Sequence, residues 1–316
     1  MPWLRGRRGP VRLLRAKSGG DHTPLKHRFA RVNPDDYCAQ KAAASGSSFY
    51  YAFLFLPPER RRAITAVYAY CREVDDIVDE VRDPAVAHAK LAWWAQEVDR
   101  LFAGSAQHPV SRALAPHLGS FGITRERLLQ ILEGMQMDLQ QTRYLDYASL
   151  QRYCHLVAGV VGEIAAGIFG TTADATLAYA RSLGQSLQLV NIVRDVGEDA
   201  RRGRIYLPID DLQRFDVKVA DLLNARYADG FTALMQFEAQ RARSLYRGAL
   251  ELLPEADRRA QRPGLIMGAI YLSLLDEIER TGFHVLHQRI ALTPLRKLWI
   301  AWRTWVFGPP ASLARA

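Results

Sequence analysis

Apolar residues recur along nearly the whole chain at spacings of three and four, and strict alternation over five or more residues is nearly absent. This period is typical of amphipathic helices, so the sequence predicts an all-α fold. No Pro-, Gly- or Ser-rich linker and no low-complexity run interrupts residues 33–308. We therefore expect one helical domain of catalytic size.

Local signals predict several of the helix boundaries. Proline or a capping side chain begins a helix at Pro57-Pro58, Asp83-Pro84 and Thr124, and the first of these helices is expected to run to about Val81. Residues 146–169 predict one broken helix or two abutting helices, with Gly159, Gly162 and Gly167 allowing close helix contact. Further helices are expected over about residues 173–199, 217–253 and 263–288. A basic loop with Gly and Pro lies at residues 200–215.

The net charge of +9 belongs to the two ends of the chain. Residues 1–32 hold nine Lys or Arg and one acid, whereas residues 281–316 hold five basic residues and no acid, which leaves the rest at −4. We expect a basic, disordered N-terminal extension at 1–32, a catalytic domain at 33–290 and a basic aromatic tail at 291–316. Such ends are solvated arms or attract anionic lipid headgroups, and no nucleic-acid partner is expected.

The sequence predicts a cytoplasmic protein. Its three cysteines lie far apart without a C-x-x-C pair, and residues 1–31 lack an apolar run long enough for a secretory signal. The most apolar stretch, residues 156–180, contains Glu163 and Asp174 and is expected to form buried helices.

The tail admits two interpretations, a helix docked on the core or a peripheral membrane contact. It carries Trp299, Trp302, Trp305 and Phe307 beside Arg296, Lys297 and Arg303.

Two acidic stripes lie on apolar helices. Asp75 and Asp79 are four residues apart and therefore share a face of the helix expected to run to about Val81. Asn191, Asp195 and Asp199 have the same spacing on the helix expected over about residues 173–199. Carboxylates on one face repel each other, so something must offset their charge. Mg²⁺ can do so, because it prefers oxygen ligands and binds protein carboxylates together with substrate phosphates. Facing stripes would hold such ions against a diphosphate and neutralise the charge that develops as its C–O bond breaks.

A set of arginines accompanies these stripes. Arginine forks suit bidentate phosphate binding, so the set is a candidate clamp for a diphosphate. It comprises Arg72, Arg194, Arg201, Arg202 and Arg204, with Tyr206 beside them.

These motifs resemble the squalene and phytoene synthase family of head-to-head prenyl transferases over roughly residues 35–290. The resemblance rests on residues 47–53, 68–72 leading into 75–79, 153–154 with 157–162, 188–199 and 204–208. Residues 49–58, 135–139 with 143–144, and 160–163 look most like the bacterial presqualene diphosphate synthases of hopanoid pathways.

The resemblance implies an isoprenoid-synthase helical domain with a central cavity, and it implies roles by position. Two or three Mg²⁺ ions would be held by Asp75, Asp79, Asp195 and Asp199, with Asn191 and Glu198 as nearby partners. Residues that contact the diphosphates or order the site would be Arg72, Arg194, Arg204, Tyr206, Tyr271 and Arg289. Residues that line the tunnels for prenyl tails and shield carbocations would be Phe49, Phe53, Tyr68, Tyr153, Val157, Val161 and Gln188.

The implied reaction joins two farnesyl diphosphates. One ionises to an allylic cation, the C2–C3 double bond of the other attacks it, and proton loss closes the cyclopropane of presqualene diphosphate. NADPH is not expected to be required, because hydride transfer belongs to complete squalene synthesis. The alternatives are a phytoene, dehydrosqualene or complete squalene synthase and, from another class, a non-catalytic helical assembly factor.

Overall fold

Helices joined by loops make up the computed structural model, which describes residues 33–44, 49–81 and 83–309. These residues contain no β-strand, so the expected all-α fold is confirmed. The helices are α1 (Pro34–Ala44), α2 (Phe49–Phe53), α3 (Pro58–Glu80), α4 (Pro84–Phe102), α5 (Pro109–Leu114), α6 (Arg125–Gln140), α7 (Tyr147–Cys154), α8 (Val160–Phe169), α9 (Asp174–Arg201), α10 (Ile209–Arg214), α11 (Val219–Leu223), α12 (Phe231–Leu252), α13 (Glu255–Arg258), α14 (Arg262–Arg280) and α15 (Pro294–Phe307). The basic extension at 1–32 lies outside the described residues, as do Ser47 and Ser48 of the first motif.

The predicted helix starts are confirmed. Helix α3 follows Pro57 and ends at Glu80. The Asp83 carboxylate caps α4 by accepting hydrogen bonds from the backbone N–H groups of its first turn, and the Thr124 hydroxyl caps α6 in the same way. Cys38, Cys71 and Cys154 are buried free thiols.

Two predicted helices are wrong in extent. The helix expected over residues 217–253 is two helices, α11 and α12, because the chain turns between them and Ala225 takes a positive φ of 53°. The helix expected over residues 263–288 ends at Arg280, where Gly282 (φ 68°) and Phe283 (φ 56°) adopt left-handed backbone conformations that end a helix. The loop at 200–215 contains the short helix α10.

Residues 147–169 form one helical rod interrupted by a π-turn at His155–Gly159. Among the described residues, this rod is the one stretch long and apolar enough to cross a membrane by length and composition. However, 78% of its most apolar window is buried inside the protein, as expected for a core helix.

Helix α9 lies at the centre of the core, and its backbone closely approaches those of α8 and of the π-turn before it. A Cβ added at Gly184 would lie 2.3 Å from the carbonyl oxygen of Ala158, and one added at Gly162 would lie 2.3 Å from that of Ala180. Only glycine permits this distance, so the predicted close helix contact is confirmed at Gly162. The contact holds α9 against the rod from which the wall of a cavity is built.

The C-terminal helix α15 packs against α14 and α2. Its inner face buries Ala301 and Thr304, and the ring of Trp305 stacks on Phe55 with centroids 4.9 Å apart. The tail is therefore a helix docked on the core, with an outer face that remains exposed.

Candidate active site

The first acidic stripe lies near the C-terminal end of α3, where both aspartates are paired with arginines. Asp75 is fully buried and accepts a hydrogen bond of 2.8 Å from Arg72, which also bonds Asp76. Asp79 forms ion pairs of 3.2 Å with Arg202 and with Arg204. The stripe is thus charge-compensated by one cation from its own helix and two from a distant segment.

The second stripe lies in the last three turns of α9. Asp195 is buried and accepts hydrogen bonds from Arg194 (2.8 Å to Nε) and from Arg289 (2.9 Å to Nε). Burial alone would raise the pKa of Asp195, but Arg194 and Arg289 outweigh it and lower the pKa to about 2. Asp199 is buried one turn further along the same face.

Arg202 joins the two stripes. It lies 3.2 Å from Asp79 on α3 and 3.3 Å from Glu198 on α9, so it bridges the two acidic helices. Arg204 lies beside it and also donates to the Val78 carbonyl at 3.1 Å. The structure therefore brings together the acids and arginines that the sequence singled out. Arg201 is the exception, because it donates to the Leu286 carbonyl at 2.9 Å, away from the clamp.

The loop that carries Arg204 and Tyr206 is fixed from α6 and from the segment that follows it. Gly203 turns the chain with a φ of 77°, and Arg143 donates to its carbonyl at 2.6 Å. The Tyr206 hydroxyl donates to Asp138, and the ring stacks on those of Tyr144 and Tyr153 with centroids 5.8 and 5.3 Å away. A small pocket between this loop and α9 is lined by Asp199, Arg204 and Tyr206, among others.

Asp138 is a site residue that the sequence reasoning missed. It is 1% exposed, accepts the hydrogen bond from Tyr206 and lies 3.6 Å from Arg204. A signal for it existed, because Asp138 continues the buried apolar stripe of α6 three residues after Met135. An acid on an apolar stripe needs a buried partner.

Lys297 is the second residue whose position was missed. The sequence grouped it with a basic surface, but it is half-buried on the inner face of α15. Burial lowers the pKa of Lys297, and the nearby Arg194 and Arg289 lower it further. Tyr271 of α14 is buried against Asn191, with the same two arginines close by. Arg194 and Arg289 thus bond Asp195, and Lys297 lies near both arginines, which is a charge pattern suited to binding an anion.

An apolar cavity is walled mainly by α8, α9 and α14, with α2 closing one side. Phe49 and Val161, which the resemblance implied as tunnel-lining residues, lie in its wall. Phe53 and Tyr68 contact Phe49, with ring centroids 5.8 Å away in each case. Tyr153 belongs instead to the tyrosine stack at Tyr206.

Two further predicted lining residues are buried in other positions. Val157 lies in the π-turn and packs against α6 at Gly134, where an added Cβ would be 2.7 Å from it. Gln188 is fully buried on α9, one turn after the cavity residue Gly184 and before Asn191. Both polar atoms of its side-chain amide lack a hydrogen-bond partner among the described residues. Such a group is costly unless a bound molecule satisfies it.

The donor set fits Mg²⁺ in chemical type but is not gathered into a metal centre. Within the described ranges, no three His, Cys, Asp or Glu side chains are arranged to hold an ion. Each of Asp75, Asp79 and Asp195 is paired with arginine instead. Carboxylate oxygens are the ligands that Mg²⁺ prefers, and guanidinium forks prefer phosphate. A metal-bound diphosphate would satisfy both partners of each pair.

A cationic and acidic cluster at one end of α9 and an apolar cavity further along the same helix define the class of this protein. The described residues form an all-helical protein whose site suits a ligand with an anionic head and an apolar tail. The squalene/phytoene synthase family model matches residues 42–296. The chain belongs to this family of head-to-head prenyl transferases, as the sequence resemblance implied.

Individual relatives agree with this assignment. A phytoene synthase from Arthrospira platensis is 36% identical over 86% of this chain and 93% of its own length, and a 15-cis-phytoene synthase from Synechocystis is 34% identical over 84% of both chains. Among solved structures, a dehydrosqualene synthase has a TM-score of 0.78 at 27% identity, covering 89% of this chain and 98% of its own. The squalene synthase HpnC from Alicyclobacillus acidocaldarius has a TM-score of 0.70 at 29% identity, covering 83% and 97%. The family binds prenyl diphosphates and generally uses a divalent metal ion.

Proposed function

We propose that this protein condenses two molecules of geranylgeranyl diphosphate head to head to form phytoene. The observation that carries the proposal is the 36% identity, over 86% of the chain, to a relative named phytoene synthase. The motif resemblance favoured presqualene diphosphate, which is made from farnesyl diphosphate. The proposed substrate, geranylgeranyl diphosphate, is longer, and the proposed product therefore differs from that expectation. The first steps are the same in both cases, because an allylic cation is attacked by a C2–C3 double bond and proton loss closes a cyclopropane.

Phytoene requires a second ionisation but no reductant. The cyclopropyl diphosphate loses its diphosphate, the cation rearranges to the linear skeleton, and a proton leaves to form the central double bond. NADPH is therefore not a substrate in this proposal. Each ionisation produces a cation that water would capture, which is why aromatic faces and a dry wall are required. Phe49 and Val161 supply such a wall, with Phe53 and Tyr68 behind Phe49.

In this proposal one group of side chains would hold the metal ions and a second group binds the diphosphates. The side chains that would hold Mg²⁺ are Asp75, Asp79, Asn191, Asp195 and Asp199, and the ion would supply positive charge for a departing diphosphate. The side chains that bind or orient the diphosphates are Arg72, Arg194, Arg204, Tyr206, Tyr271 and Arg289. Gln188, fully buried between the two regions, is positioned to donate a hydrogen bond to a bound substrate or intermediate.

A second candidate function is supported by the solved structures. Both the dehydrosqualene synthase and the squalene synthase named above are more than 25% identical to this chain, and both names indicate C30 products. Formation of presqualene diphosphate from two farnesyl diphosphates therefore remains the competing activity. The two candidates share the acidic helices and differ in the length of the prenyl tail.

A product assay distinguishes these candidates. The full chain with Mg²⁺ is given geranylgeranyl or farnesyl diphosphate, with and without NADPH, and the products are identified by mass spectrometry. The proposal expects a C40 hydrocarbon from the C20 substrate without NADPH. A product formed only from the C15 substrate would assign the C30 activity instead, and no product from either would overturn the proposal of an enzyme.

A variant of the first stripe tests the metal role. Asp79→Ala is expected to lower turnover at least a hundredfold, because it removes an oxygen donor of the stripe, while helical circular dichroism is retained. Glu80→Gln changes an exposed carboxylate on the next residue and serves as the matched control. Normal turnover in Asp79→Ala would refute the metal role.

A further inference from the structure

Helix α15 has an apolar face that the rest of the described protein does not cover. Its docked face carries Lys297, Ala301 and Thr304, which are half-buried or buried. Trp299 lies two residues before Ala301, so it points about 200° away around the helix. The residues exposed around Trp299 recur at spacings of three and four: Leu295, Leu298, Trp299, Trp302 and Val306. A helix of a water-exposed surface would carry polar residues there.

The aromatic side chains of this face form a continuous surface. Trp299 is 58% exposed and Trp302 is 43% exposed, and their rings stack with centroids 5.1 Å apart. The exposed ring of Phe307 meets Trp302 edge to face. Tryptophan is enriched where an apolar body meets a polar headgroup layer, because its ring is apolar and its N–H needs a partner.

The charges around the face are positive. The basic residues exposed on α15 are Arg296 and Arg303, whereas Arg289 and Lys297 face the candidate active site. Arg303 follows Trp302 on the helix and makes no ion pair with any described residue, whereas Arg296 is partly neutralised by Glu277 at 2.9 Å. A positive rim around an apolar face complements an anionic lipid surface rather than a neutral protein groove.

We propose that this face of α15, defined by Leu295, Leu298, Trp299, Trp302 and Val306, docks on a bilayer surface that contains anionic lipids. The helix lies in the interface plane and does not span the membrane, because its 14 residues reach about 21 Å and a hydrocarbon core is about 30 Å thick. The exposed face and its charges are the same whichever prenyl chain the enzyme uses.

Docking in this orientation would place the substrate cavity near the lipid. The inner face of α15 packs on α2, and α2 contributes Phe49 to the cavity wall. Prenyl diphosphates and their hydrocarbon products partition into lipid, so this arrangement gives them a short path between membrane and cavity. The same helix carries Lys297 on its inner side, near Arg194 and Arg289.

Vesicle co-sedimentation of the full chain tests the proposal. Vesicles of phosphatidylcholine with phosphatidylglycerol are compared with vesicles of phosphatidylcholine alone, at low and high salt. The double variant Trp299→Gln/Trp302→Gln keeps a good helix former at both positions. Trp93→Gln removes a tryptophan that is 39% exposed on α4 and serves as the matched control. Arg303→Gln tests the positive rim.

The wild-type chain is expected to bind the anionic vesicles, with weaker binding at high salt. The double variant should bind at least tenfold more weakly, Trp93→Gln should bind as wild type, and Arg303→Gln should lose affinity only for the anionic vesicles. Equal binding by the double variant would overturn the proposal, as would an equal loss in Trp93→Gln. The proposal would also be overturned if the wild-type chain did not bind vesicles and light scattering showed it to be a dimer while the double variant was a monomer.

Discussion

At the scale of single residues, Asp138 connects two groups of the site. It accepts the hydrogen bond of Tyr206 and lies 3.6 Å from Arg204, which in turn contacts Asp79 at 3.2 Å. Asp138→Asn keeps the side-chain size but removes the charge that holds the guanidinium. We expect KM to rise about tenfold, since a charge-assisted contact contributes about 1.5–3 kcal/mol, with little change in helical content. Steady-state kinetics with varied prenyl diphosphate measure this.

Tyr206→Phe is the matched comparison for Asp138→Asn, because it removes the hydroxyl and leaves the Arg204 contact in place. A smaller rise in KM is expected than for Asp138→Asn. If both variants kept wild-type kinetics, or if Asp138→Asn reduced kcat only in proportion to folded protein, Asp138 would have a structural role alone.

The residues that could be predicted from the sequence are those whose spacing carries the signal. Asp75 and Asp79, or Asp195 and Asp199, share a face because they are four residues apart on a helix. Asp138 and Lys297 were missed because their partners are distant along the chain. Arg204 is 66 residues away from Asp138, and Lys297 meets Arg194 only after α15 folds back on α14.

At the scale of elements, the contact between α9 and the rod of α7 and α8 depends on glycine. An added Cβ at Gly184 would lie 2.3 Å from the Ala158 carbonyl oxygen, so Gly184→Ala must push the helices apart. We expect a loss of about 1–3 kcal/mol in the free energy of unfolding, as for overpacked cores. Urea unfolding followed by circular dichroism measures it.

Gly248→Ala provides the control for this contact. Gly248 is also a glycine within a helix, but an added Cβ there meets nothing within 4 Å. It is expected to stabilise the protein by up to about 1 kcal/mol, because alanine has the higher helix propensity. Equal effects of the two substitutions would contradict the packing argument.

Helix starts could be predicted because caps act locally, whereas two helix ends could not. Asp83 and Thr124 bond the first turns that follow them, so the sequence contains the whole signal. The turn after α11 and the end of α14 involve positive φ at Ala225 and Phe283, which are residues that do not favour that conformation. Contacts with the rest of the fold must offset the conformational energy of a positive φ at these two residues. Such contacts cannot be read from the local sequence pattern.

At the scale of the whole molecule, a buried charge cluster connects the three helices α7, α10 and α12. Arg241 of α12 lies 2.8 Å from Asp211 of α10 and 2.8 Å from Glu238, and its guanidinium lies 4.1 Å above the Tyr147 ring of α7. One arginine cannot compensate two buried carboxylates. Burial raises the pKa of Glu238 to about 7, opposed by Arg241 and reinforced by Asp211.

This cluster makes the stability of the fold depend on pH. The pKa of Glu238 is higher in the folded protein than its ordinary value of 4.5, so the folded state binds the proton more tightly than the unfolded state. The resulting stabilisation is fully present below about pH 4.5 and is lost as the pH rises through about 7. Glu238→Gln cannot ionise and therefore lacks this dependence. Relative to wild type, the unfolding free energy of the variant should rise by about 2 kcal/mol between pH 5 and pH 8. Denaturant unfolding of both proteins at each pH measures the difference, and a difference that stays constant with pH would show that Glu238 is ionised throughout.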